Sequence, residues 1–383
     1  MLHQLPTDVL YRIFAFLVPP VSREASRSRH KILFGLGRIS VQCARAAQMH
    51  LFEVVHLGSP QAAFSWCHSV ETHPRARLLA QWRTHKVFIS SGGLRMSRNL
   101  VERVFGTVPA VKELWLADLS CNLLSLSVLP QLTSCFMAKV DLIVELTTHN
   151  YVPYLRELRI LVLSMCMASL GQKVIEFGHV LRAESFPKLT TLAVTWSKKT
   201  SDPEMHRLAK QLTHLFLRRE PEGRSVRDGY PSLPDDELRR ATALQHLSVD
   251  IFSSEDVDAL EAIPVELSSL RITTNDACRA TKVERGVLGA DLECLDALSH
   301  LIVAPVDDDE LDEREETIET CEALGCEVYE VPCSGKLEDF VDERSWLGLT
   351  GARSAHMRAQ RPGARSVVGA APAAALSGAR AST

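Results

Sequence analysis

Apolar residues recur every three or four positions near the start of the chain. Leu5, Val9, Leu10, Ile13, Phe14 and Leu17 share one face of residues 2–18, which predicts an amphipathic helix. Thr7 suits its N-cap, and Pro19-Pro20 ends it. Helical spacing returns after a basic stretch, at Leu33, Leu36, Ile39, Cys43, Ala46 and Ala47. The first 57 residues therefore predict a small helical bundle.

A second pattern, of the form Leu-x-x-Leu-x-Leu, recurs eight times further along the chain. The copies begin at Val111, Leu132, Leu155, Leu189, Leu212, Leu244, Leu267 and Leu298, and a weaker ninth precedes them at Thr84. Apolar fourth and sixth positions with variable neighbours predict a strand that has one buried face. Helix-like stretches lie between the copies, at residues 97–108, 170–184, 202–212 and 254–263. Because no unit of this kind buries its apolar face alone, residues 58–349 predict an α/β solenoid with a parallel sheet.

The third, fifth and seventh residues of each copy point away from the buried face of the predicted strand. We call the surface that they form the sheet face. Trp, Phe and Arg are enriched at binding hot spots, so this face predicts a site for a target protein. Its candidate residues are Trp115, Phe136, Arg159, His214, Phe216, Arg218, His246, Asp250 and Arg271, flanked by Glu113 and His300. The alternative is that neighbouring loops or the preceding domain cover Trp115 and Phe136.

Composition narrows the class of partner. Lys and Arg number 43 against 47 Asp and Glu, which gives a net charge of −4 and excludes the strongly basic field of a nonspecific nucleic-acid binder. No apolar run is long enough to predict a membrane span. A protein partner is the remaining expectation, with no nucleic acid and no membrane.

The ten cysteines are isolated and form no Cys-x2-Cys pair. Together with the absence of a signal-peptide pattern, they predict a reduced compartment, the cytoplasm or the nucleus. Isolated cysteines also predict buried apolar residues rather than metal ligands. No metal, no cofactor and no catalytic residue is expected.

Charge is concentrated at the C-terminal end. Residues 307–322 hold ten acids and one Arg, which predicts an acidic, solvent-facing helix that closes the array; the alternative is a docking site for a basic partner. A last strand is predicted at 326–331. Residues 350–383 are rich in Ala, Gly and Arg, and they predict a disordered basic tail.

The N-terminal residues resemble the F-box, a helical module that docks on the Skp-type linker protein of cullin-RING ubiquitin ligases. Leu5-Pro6, Asp8-Val9-Leu10, Ile13-Phe14, Leu17 and the later Leu36 and Ile39-Ser40 carry the resemblance, over roughly residues 3 to 57. The downstream copies resemble the leucine-rich repeats of fungal-type F-box proteins. Residues 22–31 lengthen the first connection, and Leu119, Val140 and Leu163 stand where such repeats carry Asn or Cys.

The resemblance implies a non-catalytic, substrate-recognition adapter of an SCF-type ubiquitin ligase. The helical module would bind the linker protein, and through it the cullin-RING ligase, while the repeats bind an unknown target protein. The implied linker-binding residues are Leu5, Pro6, Val9, Leu10, Ile13, Phe14, Leu17, Leu36, Ile39 and Ser40.

Two other functions fit parts of the sequence. A leucine-rich-repeat scaffold without a ubiquitin role needs only the repeats. A Cys-dependent ubiquitin ligase is a remote alternative. It is suggested by Cys294-Leu295-Asp296, which has the Cys-x-Asp form of certain bacterial ligases.

Overall fold

The structure is a computed structural model of the chain. It describes residues 5–19, 26–144, 154–170, 173–175, 181–196, 205–219, 233–251, 254–273, 280–290, 292–304, 311–330 and 353–354. The architecture is α/β, with a helical region at the N-terminus followed by a long, mostly parallel sheet.

Three helices form the N-terminal bundle: α1 (Thr7–Leu17), α2 (Ser26–Gly37) and α3 (Val41–Glu53). Their shared core contains Leu10, Phe14, Leu33, Cys43 and Ala46, with Ala47 and Val18 beside them. Pro6, rather than the predicted Thr7, occupies the N-cap of α1, and no side chain caps that helix. Ser40 caps α3, because its Oγ accepts a hydrogen bond from the backbone N–H of Cys43 at 3.1 Å.

Eleven strands pair in parallel to form the large sheet, and a twelfth closes it. In spatial order the parallel strands are β1 (Val54–Leu57), β2 (Lys86–Ser90), β3 (Glu113–Ala117), β5 (Ser134–Ala138), β7 (Ile160–Ser164), β10 (Thr191–Trp196), β11 (His214–Arg219), β12 (His246–Asp250), β13 (Ser269–Thr273), β14 (His300–Val303) and β15 (Glu327–Glu330). The short β16 (Arg353–Ser354) pairs antiparallel with β15. The predicted parallel sheet is confirmed, and β1 precedes all the predicted copies.

Helices connect successive strands of the sheet. They are α4 (Pro60–Thr72), α5 (Pro74–Arg83), α6 (Arg98–Thr107), α7 (Met205–Ala209), α8 (Asp235–Arg239), α9 (Ser254–Asp258), α10 (Ala280–Leu288) and α11 (Leu311–Ala323). A 3-10 turn at Leu123–Val128 takes the place of a helix between β3 and β5, and short 3-10 turns at Ala259–Ala262 and Glu293–Leu295 follow α9 and α10. The helices predicted within 97–108, 202–212 and 254–263 are confirmed.

The predicted third copy is displaced by three residues. Strand pairing places Leu161 beside Cys135 and Leu192, so this copy begins at Leu158 and not at Leu155. Arg159 therefore precedes β7, and its predicted place on the sheet face is wrong. Val162 takes that place instead. The ninth residue of the copy becomes Cys166 instead of Leu163. Its thiol donates to the Met137 carbonyl of the preceding unit at 3.4 Å.

A second, smaller sheet lies beside three of the central units. Its strands β4 (Ser120–Asn122), β6 (Asp141–Val144) and β8 (Met167–Leu170) are parallel, and β9 (Lys173–Ile175) pairs antiparallel with β8. The helix predicted across 170–184 is wrong at residues 173–175, which form β9.

The same backbone turn joins each large-sheet strand to its small-sheet strand. Asp118, Lys139 and Met165 follow β3, β5 and β7, and their φ angles of 54°, 53° and 50° are left-handed. This conformation costs an L-residue roughly 1–2 kcal/mol, so the turn is fixed by the pairing around it. The backbone N–H of Lys139, for example, donates to the Ser164 carbonyl at 2.8 Å.

The C-terminal units are closed by α11. Its acids Asp312, Glu315, Glu316 and Glu319 are exposed, as predicted for the acidic helix, whereas its Arg314 is buried and pairs with Glu284 at 3.1 Å. Residues 307–310 of the predicted acidic segment lie outside the described residues. Within the predicted disordered tail, Arg353 and Ser354 form β16, and its other residues are also outside the described part of the chain.

We expect Lys139→Gly to stabilise the fold by about 0.5–1 kcal/mol, because glycine adopts the left-handed turn without the steric cost. Urea unfolding measures the change. Lys112→Gly is the matched control: Lys112 is also exposed, but its φ is negative, so the substitution should destabilise. Equal effects of the two substitutions would contradict the assignment of strain to this turn.

Candidate protein-interaction surfaces

The bundle exposes an unusual amount of apolar surface. On α1, Val9, Phe16 and Leu17 are exposed and Ile13 is half-buried, and helical spacing places all four on one side. Phe16 is 91% exposed and Leu17 is 58% exposed. Helices α2 and α3 and the turn between them add exposed apolar side chains at Ile32, Phe34, Ile39 and Val41. We call this set, from Val9 to Val41, the bundle apolar residues.

Some of the implied linker-binding residues belong to the bundle apolar residues, and others lie in the core of the bundle. Val9, Leu17 and Ile39 are exposed apolar residues, and Pro6 is exposed beside them. Leu10 and Phe14 are buried in the bundle core, so their implied place on the docking surface needs correction: they hold the helices together instead. Leu5, Ile13 and Leu36 are half-buried against that core, and Ser40 caps α3.

Sequence reasoning missed Phe16, Phe34 and Val41. Phe16 lies two residues after Phe14, outside the core stripe, and Phe34 directly follows the buried Leu33. The helical pattern of the buried neighbours Phe14 and Leu33 accounted for the apolar character of each segment, so the exposed phenylalanines were not singled out. The available clue was an aromatic residue at a position that the core pattern leaves to polar residues.

A polar network joins the bundle helices α1 and α3 close to the point where the chain enters the sheet. Glu53 accepts from the Tyr11 hydroxyl and lies 3.0 Å from His50 Nδ1, while His50 Nε2 lies 2.8 Å from the Tyr11 carbonyl oxygen. The Tyr11 and His50 rings stack with centroids 4.1 Å apart. Burial raises the pKa of Glu53, but hydrogen bonds from His50 and Tyr11 and the charge of Arg29 outweigh it, so that the pKa is lowered.

Backbone contacts continue this junction into the sheet. Thr84 Oγ1 donates to the Phe52 carbonyl at 2.7 Å, and the His85 N–H donates to the Glu53 carbonyl at 3.1 Å. These contacts tie the end of α3 to the residues that lead into β2. The bundle is therefore attached to one end of the sheet by several hydrogen bonds as well as by the chain itself.

On the sheet face, the fifth residues of the units form a row in register across the strands. At the bundle end this row is aromatic: Phe88 stacks beside Trp115, and Trp115 lies on Phe136 with centroids 3.9 Å apart and planes 8° apart. The Trp115 Nε1–H donates to Glu113 at 2.9 Å, and Glu113 pairs with Lys86 at 2.6 Å. The indole ring is thus fixed from two sides.

A groove follows this aromatic row. It encloses about 380 Å³ including its open mouth, and its walls include Phe88, Trp115 and Phe136. Small residues at the seventh position of each unit, Ser90, Ala117 and Ala138, leave the space open. Among the predicted target-binding residues, Trp115 and Phe136 both line the groove.

The central part of the face is closed. Phe136 joins Val162, Ala193 and Phe216 in an apolar cluster that is separate from the main core, and all four are buried. Phe216, predicted as a target-binding residue, is therefore a packing residue. Phe136 is also mainly a packing residue, because most of its surface is buried. Trp115 is only half-buried.

The C-terminal part of the face is polar and internally paired. Asp250 accepts from the Arg219 N–H at 2.8 Å and from Thr273 Oγ1, and burial raises its pKa. Arg271 is also buried, so neither is the exposed target-binding residue that was predicted. Arg218 is half-buried at the same edge. The Arg219–Asp256 pair beneath them, at 2.5 Å with both side chains buried, had no sequence signal.

Two of the predicted histidines form a close, tilted ring pair on this part of the face. The His214 and His246 rings have centroids 4.3 Å apart, with Thr213 Oγ1 2.8 Å from His214 Nδ1 and Ser269 Oγ 2.7 Å from His246 Nδ1. Burial, helped by the neighbouring His246, lowers the pKa of His214 to about 4. Burial also lowers the pKa of His246, with His300 as the second cause.

Cys294, the candidate thiol, lies in a buried 3-10 turn. Its Sγ donates to the Leu260 carbonyl at 3.6 Å, and burial raises its pKa to about 11. A thiolate is disfavoured here at neutral pH. Within the described residues, no three His, Cys, Asp or Glu side chains are grouped to hold a metal ion, and no helix is long and apolar enough to cross a membrane.

Comparison with known proteins adds no assignment. No protein-family model matches the chain, and no curated protein matches it.

The histidine pair predicts that stability falls in acid. Because the folded state holds His214 neutral while the unfolded chain binds a proton near pH 6.5, folding is favoured above that pH and loses stability as the pH falls toward about 4. His214→Gln should flatten this decline by ~1 kcal/mol after solvent screening.

Urea unfolding at several pH values measures this effect. His68→Gln, at an exposed position on α4, is the control and should leave the slope unchanged. A pH slope that His214→Gln leaves unaltered would rule out the histidine pair as its cause.

Proposed function

We propose that this protein is a substrate-recognition adapter of an SCF-type cullin-RING ubiquitin ligase. The helical bundle is an F-box-like module that docks on the Skp-type linker protein, and the solenoid is a degenerate leucine-rich-repeat array that binds a target protein for ubiquitin-dependent degradation. The chain performs no chemistry in this role. It raises the effective concentration of the target near the ubiquitin-conjugating enzyme.

One observation carries the proposal: the bundle exposes Phe16, Leu17, Phe34, Ile39 and Val41 although its own core is complete. Large apolar side chains that are this exposed cost free energy in water and mark interaction surfaces. The resemblance to the F-box supplies the kind of partner. Docking here would leave the sheet face free for a target.

The position of the groove supports a target site near the linker. The groove is lined from β1, β2, β3, β5 and β7, the end of the sheet at which Thr84 and His85 hydrogen-bond to the end of α3. Its open Trp115 wall and neutral Lys86–Glu113 rim favour an apolar segment of the target. The histidine end and the closed Phe216 cluster offer less accessible surface.

The scaffold alternative stays open because it shares the repeat array. It differs in one respect, since a scaffold without a ubiquitin role would not bind the linker protein. The Cys-dependent ligase is less well supported, because the buried Cys294 thiol has a raised pKa.

We expect Leu17→Ala combined with Ile39→Ala to weaken binding of the linker protein at least ~10-fold, and Phe16→Ala alone to have a comparable effect. These side chains are exposed, so their loss removes contact area without a core cavity. Biolayer interferometry of the full chain on immobilised linker protein measures the change.

Val128→Ala is the matched control, because Val128 is 50% exposed but lies in the repeat region. It should bind as the unmodified chain does. No binding by the unmodified chain would refute the adapter function and favour the scaffold. Equal binding by all variants would refute a docking site at Phe16, Leu17 and Ile39.

A further inference from the structure

Helix α5 presents a second apolar surface that the adapter function does not use. Its sequence, PRARLLAQWR, carries three Arg and no acid. Arg75, Leu78 and Trp82 follow one another at three- and four-residue spacing and share one side of the helix. That side lies opposite the buried Ala80, and Leu78 is 57% and Trp82 73% exposed. We call these three residues the α5 stripe.

The positive charge at the start of the α5 stripe is not neutralised by a described residue. Arg75 makes no side-chain hydrogen bond or ion pair to any residue that the structure describes. Arg77 donates to the backbone carbonyl of Glu71 at 2.7 Å, while the Glu71 carboxylate is held by Arg103. The exposed apolar side chains therefore lie beside the guanidinium group of Arg75, which has no acidic partner among the described residues.

The α5 stripe is distinct from both surfaces already described. Arg83 of α5 lies over the Tyr11 ring, 5.7 Å from its centroid, and Tyr11 is on the opposite side of α1 from Val9 and Phe16. No residue of α5 lines the sheet-face groove. A partner on α5 would leave the linker site and the target site accessible.

We propose that the α5 stripe binds an acidic amphipathic helix of a partner protein. The stripe spans about 10 Å of helix at the spacing by which one helix packs on another. Trp82 and Leu78 supply apolar anchors for a packed helix, and Arg75 selects for Glu or Asp beside them. Charge complementarity thus specifies the partner: apolar on one side and acidic on its flanks.

A pair of synthetic helical peptides tests this proposal. Both carry Leu at i, i+4 and i+7, with Glu at the flanking positions of one and Lys in the other. Fluorescence anisotropy with the full chain should give micromolar binding of the Glu peptide only. Binding should weaken between ~50 mM and ~300 mM salt, because part of it is electrostatic.

Variants assign the binding to α5. Leu78→Ala with Trp82→Ala should weaken the Glu peptide at least ~10-fold, and Arg75→Glu should weaken it and improve binding of the Lys peptide. Leu324→Ala is the matched apolar control, since Leu324 is also 57% exposed, and Arg95→Glu is the charge control at another exposed Arg. Neither control should alter binding.

Several results would overturn the proposal. Equal binding of the two peptides, no binding of either, or no effect of Leu78→Ala with Trp82→Ala would exclude an acidic helical partner. Self-association lost with Trp82→Ala would assign the stripe to a second copy, and Trp82-dependent binding of anionic vesicles or an oligonucleotide would assign it to those ligands. Leu17→Ala with Ile39→Ala should leave peptide binding intact, so this test and the linker test fail independently.

Discussion

Lateral burial of one apolar face is the constraint on which the rest of this structure depends. The first, fourth and sixth residues of each unit, such as Val111, Leu114 and Leu116, are almost fully buried, and they join those of the next unit in one continuous core. Burying such a side chain is worth roughly 1.5–3 kcal/mol, but only the neighbouring strand and helix provide the burial. Each unit is therefore stable only in the array. Two buried ion pairs, Arg219–Asp256 and Arg314–Glu284, add polar links between neighbouring units.

This pairing also determines what the opposite side of each strand can do. Register places Phe88, Trp115, Phe136, Val162, Ala193 and Phe216 in one row, so neighbouring side chains touch whether or not a ligand is present. Where the row is bulky and the adjacent positions are small, a groove stays open; where Val162 and Ala193 meet the flanking phenylalanines, it closes. The open part lies at the end held by Glu53, Thr84 and His85. A target bound there would be close to a partner of the bundle.

Periodicity predicted most of the fold from sequence, because the buried Leu positions repeat in register with the strands. It failed at Leu155, where a turn preceding β7 carries leucines with the same spacing, and that error placed Arg159 on the sheet face. It also failed at 173–175, because a strand of the small sheet depends on pairing with β8 and leaves no period of its own. Exposure was the least predictable property. Leu10 and Leu17 share an amphipathic pattern, yet one is buried and the other exposed, since only the placement of α2 and α3 distinguishes them.

We infer that the bundle is complete as a folding unit and that its exposed apolar side chains form a binding surface. Hydrogen–deuterium exchange of the full chain, with and without the Skp-type linker protein, tests it most directly, because it maps binding without altering a residue. We expect added protection in α1, α2 and α3 and unchanged exchange in β2, β3 and β5, which line the sheet-face groove. Protection that appears instead along the sheet strands, or no change anywhere at saturating linker protein, would contradict it.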